Sequence, residues 1–445
     1  MKRLLLILFV IGLVVIGCDS GGDTPMSTEI PTVMPAETPV PTETPAATPT
    51  GTPVVTEEPT PTATTTPKPG ITKITIGNLT DMTGAASNAM RTMTMALEDL
   101  VEYYNDQHLI PGIEFEVITY DTEYNPARDL PGYESLTDQG ADLIFTAVAS
   151  VASTLKPLLE IDKMVLFTVS PTEEALVPPG YIFCPGNALG KNVSYTLLKW
   201  IAENDPDFPE DRPAKIGGAA WNDPYAEELL SGVEEYTRTY PDQYEWAGGY
   251  LTDVKFVWDT EVEALKDCDY LIPPIVTSSF VKTYHSAGYT AKYIGTDAHI
   301  SFFGSIADPD IWGALDGMLF PRPGRWWNED DELVNLAKNL LSKNHPDEAE
   351  QIISSDSGYL MFQPFCVMFT LIAEAVEAVG PENFNSQAVY EAAKSFSLTT
   401  DDIELNSFDE TKRASSNFLG IYELDATQRD LVRVEEDWVP IAWEP

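Results

Sequence analysis

Residues 71–107 read ITKITIGNLTDMTGAASNAMRTMTMALEDLVEYYNDQ. The first ten alternate into a β-branched run, which predicts a strand over 71–80. Asp81-Met82-Thr83-Gly84 makes a polar loop, and from Ser87 the apolar residues Met90, Met93, Leu97, Leu100 and Tyr104 recur at helical spacing up to residue 107. Strand, loop and helix of this size open a βαβ unit. The methionines are read as core filler, because a flexible thioether fits irregular interior gaps.

The alternation continues outward from this unit. Strands are predicted over 114–120, 141–148 and 164–169, with helices over 127–139 and 154–161 between them. Such spacing indicates a parallel sheet covered on both faces. The pattern restarts near residue 181: helix 193–203, strand 215–221, helix 226–239, strands 245–251 and 269–275, helix 280–287 and strand 292–296. After residues 318–321 come helices over 331–343, 359–379 and 386–395, then strands over 418–424 and 430–434. The late helices bring no new parallel strands, so they are expected to return and cover the first sheet. The fold class is therefore α/β, with two doubly wound lobes.

The ends carry a different signal. Met1-Lys2-Arg3 precedes an apolar run over 4–16, too short to span a bilayer comfortably, and Val15-Ile16-Gly17-Cys18 follows. This resembles a bacterial lipoprotein signal, which implies that residues 1–17 are removed and that lipidated Cys18, in a diacyl, palmitate-type linkage, anchors the mature chain. Residues 18–70 are dominated by Thr and Pro, with too little apolar surface to repay ordering, and read as a disordered tether. In polyproline II at about 3.1 Å per residue it would reach on the order of 100 Å. No later apolar run is expected to be long and uncharged enough to cross a bilayer. The expected location is extracytoplasmic, on the outer face of the cell membrane.

Seventy acidic against 26 basic residues give a formal net charge of −44, which repels nucleic acid and anionic lipid. Cys184, Cys268 and Cys366 stand beside Phe183, Tyr270 and Phe365 and read as buried thiols rather than a disulfide framework. The four histidines, His108, His285, His299 and His345, are scattered, with no HExxH, nucleophile elbow or Walker loop. No catalytic residue, metal site or cofactor is expected.

The ordered set of motifs resembles the type I periplasmic binding proteins of the branched-chain amino acid and amide ABC importers. Residues 76–84 are similar to that family's first strand and its Thr-Gly loop, 143–157 to its third strand and Ser-rich loop, and 166–176 (LFTVSPTEEAL) to its Ser/Thr-Pro segment. Residues 215–229 (KIGGAAWNDPYAEEL), 291–297 (AKYIGTD) and 406–410 (NSFDE) resemble later family motifs. The resemblance implies a three-strand hinge with crossings near Cys184, Phe320 and Tyr422. Lobe one would combine 71–184 with 321–421, and lobe two 185–320 with 422–445. It further implies a monomer that delivers a small amino acid, amide or related polar solute to an ABC permease. A sensor docking on a membrane signalling protein is the alternative with the same fold; an extracytoplasmic enzyme ranks third.

By the same resemblance the ligand would lie in the interlobe cleft, where strand C-termini and helix N-termini converge. Ser150, Ser170 and Thr172 match the residues that hold a ligand carboxylate, though hydroxyls there equally serve as helix caps. Tyr225 matches the turn tyrosine that closes over ligand. Thr277, in Thr277-Ser278-Ser279, stands where the family has an acid pairing with the ligand amine, and Asp297 is the nearest replacement for that charge. Trp221 or Trp326-Trp327 are the candidates for an aromatic wall.

Overall fold

The computed structural model describes residues 70–302, 311–355, 357–400 and 402–445; the expected signal, Cys18 and tether lie outside the described residues. The first sheet has strands β1 (Thr72–Thr80), β2 (Ile113–Asp121), β3 (Leu143–Thr146), β4 (Leu166–Thr168) and β5 (Ile182–Phe183) in the order β2-β1-β3-β4-β5, all parallel. The second has β6 (Ala214–Trp221), β7 (Tyr244–Thr252), β8 (Tyr270–Ile272) and β9 (Lys292–Tyr293) in the order β7-β6-β8-β9, also parallel. Each sheet thus reverses its winding beside its first strand, and the crevice past the strand C-termini at that point is where α/β sheets bind ligands.

Helices α1 (Ser87–Gln107), α2 (Asp129–Asp138), α3 (Ala149–Asp162) and α4 (Glu173–Leu176) connect the first sheet. Helices α5 (Gly190–Asn204), α6 (Pro224–Thr239), α7 (Asp259–Ala264), α8 (Thr277–Ser286) and α9 (Asp297–Ile300) follow in the second half. The late helix Phe362–Val379 does return to the first sheet: Phe365 meets Phe145 at 4.8 Å, and Phe369 lies 4.5 Å from Tyr104 and 4.9 Å from Phe115. Ser386 ties the next helix to the same sheet, accepting from the Val165 amide at 3.0 Å and donating to the Asp142 carbonyl at 2.7 Å.

One sequence expectation needs correction. The stretch Gly358–Val379 is long and apolar enough to cross a bilayer by composition. Its apolarity has another cause: Phe362, Phe365, Met368, Phe369, Leu371 and Ile372 are wholly buried in the core beneath the first sheet.

Where the chain passes between the halves, β10 (Leu319–Arg322) pairs antiparallel with β13 (Phe418–Asp425), so that Phe320 faces Tyr422. Ile294 bridges to Leu319, which joins β10 to the second sheet, and Cys184 bridges to Ala414. The hairpin β11 (Ser397–Thr400) with β12 (Ile403–Ser407) and the short strands β14 (Asp430–Arg433) and β15 (Val439–Pro440) complete the described strands. The architecture is two α/β lobes around a hinge. Cys184 and Cys268 are buried free thiols and Cys366 is half-buried.

Candidate functional site

Between the lobes lies a cleft of about 970 Å³, its open mouth included. The same local device brings the chain to it twice in the first lobe. Thr146 and Thr168 end adjacent strands, and their hydroxyls accept from the amides of Val148 (3.1 Å) and Ser170 (3.2 Å). These bonds turn the backbone out of the sheet and set Ala147, Ala149, Val169 and Ser170 along the cleft wall.

The first loop is tied to a strap that carries an aromatic ring. Asp81, fully buried, accepts from the amides of Thr83, Gly84 and Ala86. Asp121 accepts from the Met82 amide (2.8 Å), the Thr83 hydroxyl (2.6 Å) and the Glu123 amide (2.9 Å). Partial burial acts to raise the Asp121 pKa, but the hydrogen bonds from Thr83, Met82 and Glu123 outweigh it and hold the carboxyl below its ordinary value. Gly84 fits closely against this strap: a Cβ there would fall 2.4 Å from the Glu123 carbonyl oxygen. Glu123 and Tyr124 both take left-handed backbone (φ 54° and 53°), which is costly for a bulky side chain and recurs where a site needs it. The outcome is Tyr124 on the cleft wall, its phenol pushed up by burial and by the nearby Asp223 and Asp81.

From the second lobe, Asp223 caps α6 by accepting from the Tyr225 and Ala226 amides at 2.9 and 3.0 Å, and burial raises its pKa. Tyr225 reaches the cleft beside Thr296, with burial holding its hydroxyl protonated. His299 joins two loops. Its Nδ1 accepts from the Thr296 amide at 3.0 Å, so the proton sits on Nε2, which contacts the Pro273 carbonyl at 2.8 Å. Burial pushes this imidazole down to about 4 and keeps it neutral.

The cleft thus brings together three of the residues singled out from the sequence: Ser170, Tyr225 and Asp297. Ser170 donates to the Ala147 carbonyl at 2.9 Å and keeps its oxygen lone pairs for a ligand. Asp297 lies 2.8 Å from Arg322. The other three spend their hydroxyls inside the protein. Ser150 donates to buried Asp129 at 3.0 Å, Thr172 caps α4 by accepting from Ala175 at 3.2 Å, and Thr277 donates to the Pro274 carbonyl at 3.0 Å. Burial lifts Asp129 to about 6 despite the Ser150 bond.

None of the three tryptophans lines the cleft: Trp221 packs on Phe256 and donates to the Lys255 carbonyl, Trp326 donates to Asp430, and Trp327 stacks on Tyr359. Tyr124 and Phe302 are the cleft aromatics that the sequence did not single out; for Tyr124, a left-handed Glu-Tyr pair leaves no compositional trace. Met90 and Met93, read as core filler, also line the cleft, with Leu229, Leu230, Ile272 and Met361 opposite or beside them. The lobes touch at the rim, where the Glu173 amide donates to Glu228 and Lys191 pairs with the Glu173 carboxylate. Among the described residues no group of three or more His, Cys, Asp or Glu side chains could hold a metal ion.

Comparison with known proteins agrees with this construction. Residues 73–250 match the family described as periplasmic binding protein. A branched-chain amino acid ABC transporter protein from Thermus thermophilus with bound valine superposes with a TM-score of 0.68 at 19% identity, covering 82% of this chain and 96% of that one. A fatty acid ABC transporter substrate-binding protein from Thermomonospora curvata gives 0.69 at 18% identity, with 84% and 97% covered. A solute-binding protein from R. palustris in complex with 4-hydroxybenzoate gives 0.66 at 16% identity, with 83% and 97% covered. No curated protein sequence matches the chain. The type I periplasmic binding protein resemblance read from the motifs is borne out, and the fold is that of the solute-binding proteins of ABC transporters.

Proposed function

We propose that this chain is the extracytoplasmic solute-binding lipoprotein of an ABC importer, held at the membrane through Cys18 and capturing an amino acid, amide or related polar solute between its lobes. The observation that carries this reading is the cleft itself: residues of both lobes, Tyr124 and Ser170 from one and Tyr225 and Asp297 from the other, line one cavity at the strand C-termini. Its few polar groups sit among apolar walls, as orienting groups in ligand pockets do.

The lobe division in this proposal is the one drawn from the sequence, and Ser150, Thr172 and Thr277 act in it as supports for the loops rather than as ligand contacts. Hinging about the β10–β13 ladder, with the Glu173–Glu228 contact holding the lobes together at the rim, would present a changed surface to a permease.

A thermal-shift screen of the full chain against amino acids, amides, short carboxylates and aromatic acids tests the reading. A ligand at 100 times its Kd stabilises by about 2.7 kcal/mol. A hit that Tyr225→Ala abolishes supports the cleft. A hit insensitive to every cleft substitution, or no hit at all, refutes it.

A further inference from the structure

The interlobe cleft is rich in acceptors. Among the described residues that line it there is no lysine or arginine, but there are two carboxylates, Asp223 and Asp297. Arg322, which lines a separate cavity on the hinge side, lies 2.8 Å from Asp297 and balances that charge from behind the cleft wall. Asp223 has no such partner: the Tyr225 and Ala226 amides both bond to its Oδ1, and burial raises its pKa with no neighbouring cation to hold it down. The wall therefore carries one unbalanced negative charge. The serines add to the surplus of acceptors. Ser170 gives its proton to the Ala147 carbonyl, and Ser301 gives its own to the Asp297 carbonyl at 3.2 Å, so each offers only lone pairs to a solute. Asn187 and His299 are bonded within the protein through both of their polar side-chain atoms. Against these acceptors stand the phenols of Tyr124 and Tyr225, the second already engaged with Thr296.

We infer that the solute is an amine cation without a carboxylate, its ammonium held by Asp223 and its apolar body packed on Met90, Met93, Leu229 and Ile272. Ser170 offers the ammonium a second acceptor from the facing lobe. Tyr124, near enough to Asp223 for that charge to act on its phenol, sets an aromatic ring beside the cation. This inference rests on the cleft being the solute site and names the solute's class.

Electrostatics separates this class from the alternatives. A carboxylate would meet no guanidinium or ammonium on the cleft wall and would add a second negative charge beside Asp223. The first turn of α3 opens on the cleft at Ala149, but a helix N-terminus supplies only about half a unit of positive charge, against a whole unit of negative charge on Asp223. A zwitterion brings the right ammonium together with a carboxylate that must be stripped of water for that weaker partner. A carboxamide leaves the Asp223 charge unbalanced, and its carbonyl finds few donors among these acceptors. The amine supplies donors and a full positive charge together. The formal net charge of −44 on the chain draws such a cation in and repels acids.

The test is calorimetric titration of the full chain at pH 7 with ligands that share one branched skeleton, namely isoamylamine, isovaleramide, isovalerate and leucine, and with phenethylamine against phenylacetate as the aromatic pair. Each amine is expected to bind at least tenfold tighter than its acid. Isoamylamine should also exceed leucine and isovaleramide tenfold, although these two keep part of the match and still register in the broad screen. Asp223→Asn removes the charge while preserving the cap of α6, since asparagine caps as well as aspartate. It should weaken isoamylamine at least tenfold and bring its advantage over isovaleramide under threefold. Ser170→Ala should weaken both amines by about threefold. Should Asp223→Asn fail to fold, the wild-type order and Ser170→Ala decide. Acids, leucine or the amide bound more tightly than the amines, or amine affinity unchanged within twofold by Asp223→Asn, overturns the proposal. Leucine or isovaleramide bound in the cleft while both amines fail sinks the amine class alone; failure of every solute in the broad screen sinks the cleft reading beneath it.

Discussion

Replacing His299 by Gln should remove a defined part of the protein's sensitivity to acid. The imidazole is 2% exposed and held between the Thr296 amide and the Pro273 carbonyl, and burial lowers its pKa from 6.5 to about 4. The sign follows from which state binds the proton. Between pH 6.5 and 4 the unfolded chain takes up a proton that the folded one does not, so stability is full above pH 6.5 and drains away as pH falls. Below about 4 both states are protonated and the loss stops. At about 1.4 kcal/mol per pH unit the total is about 3 kcal/mol. Glutamine, a natural capping-box residue at this third helical position, can accept from the Thr296 amide and donate to Pro273 without titrating. Urea unfolding of both proteins, followed by tryptophan fluorescence at pH 7.5, 6.5, 5.5 and 4.5, gives the difference in stability. The raised carboxyls of Asp223 and Glu228 push the other way, but they are common to both proteins and cancel. The wild type should lose about 2.5 kcal/mol relative to the variant across that range, which stops short of the folded pKa. A difference constant to within about 0.5 kcal/mol would refute the assignment of a neutral, buried imidazole.

Other substitutions probe other links. Gly84→Ala drives a methyl group into the Glu123 carbonyl, so it should displace the Tyr124 strap and weaken ligand binding in calorimetry by more than tenfold; unchanged affinity would detach that strap from the site. Thr172→Ala removes the cap of α4 and should lower stability by about 1 kcal/mol in chemical unfolding while leaving ligand affinity within twofold, the reverse of what a direct ligand contact would show. Lys292→Met leaves Asp205, whose side chain is 1% exposed, without the ammonium 2.8 Å away. Unfolding should then cost about 3 kcal/mol less, and a loss below about 1 kcal/mol would show that Asp205 finds relief elsewhere.

The long periodic elements were legible because burial enforces their pattern. Helix α1 spans Ser87–Gln107 as its apolar spacing predicts, and Met90, Met93, Leu97, Leu100 and Tyr104 point inward. What stayed hidden depends on partners distant in sequence. The Ser-rich start of α3 reads as loop, yet the helix begins at Ala149, five residues early, and Ser150 there donates to Asp129, 21 positions away. Likewise α8 starts at Thr277 rather than residue 280, which turns a presumed ligand hydroxyl back onto Pro274. The helix Ala349–Ser355 and the β11–β12 hairpin carry too little apolar pattern to announce themselves. Asp297 was found, but not its partner: nothing near Arg322 in the chain shows that a hinge strand ends against α9.

The return of Phe362–Val379 to the first sheet bears on how the chain acquires its shape. A nascent chain has made β1 to β5 long before Phe365 and Phe369 exist to cover Phe145 and Phe115. The second sheet, from β6 to β9, draws its strands and connecting helices from one unbroken stretch and closes only short loops. The half made later can therefore mature sooner, while the half made earlier waits with an apolar face open for a helix some two hundred residues downstream. Until that helix arrives, the bare face is the surface at which aggregation competes with folding, and a holding chaperone would act there.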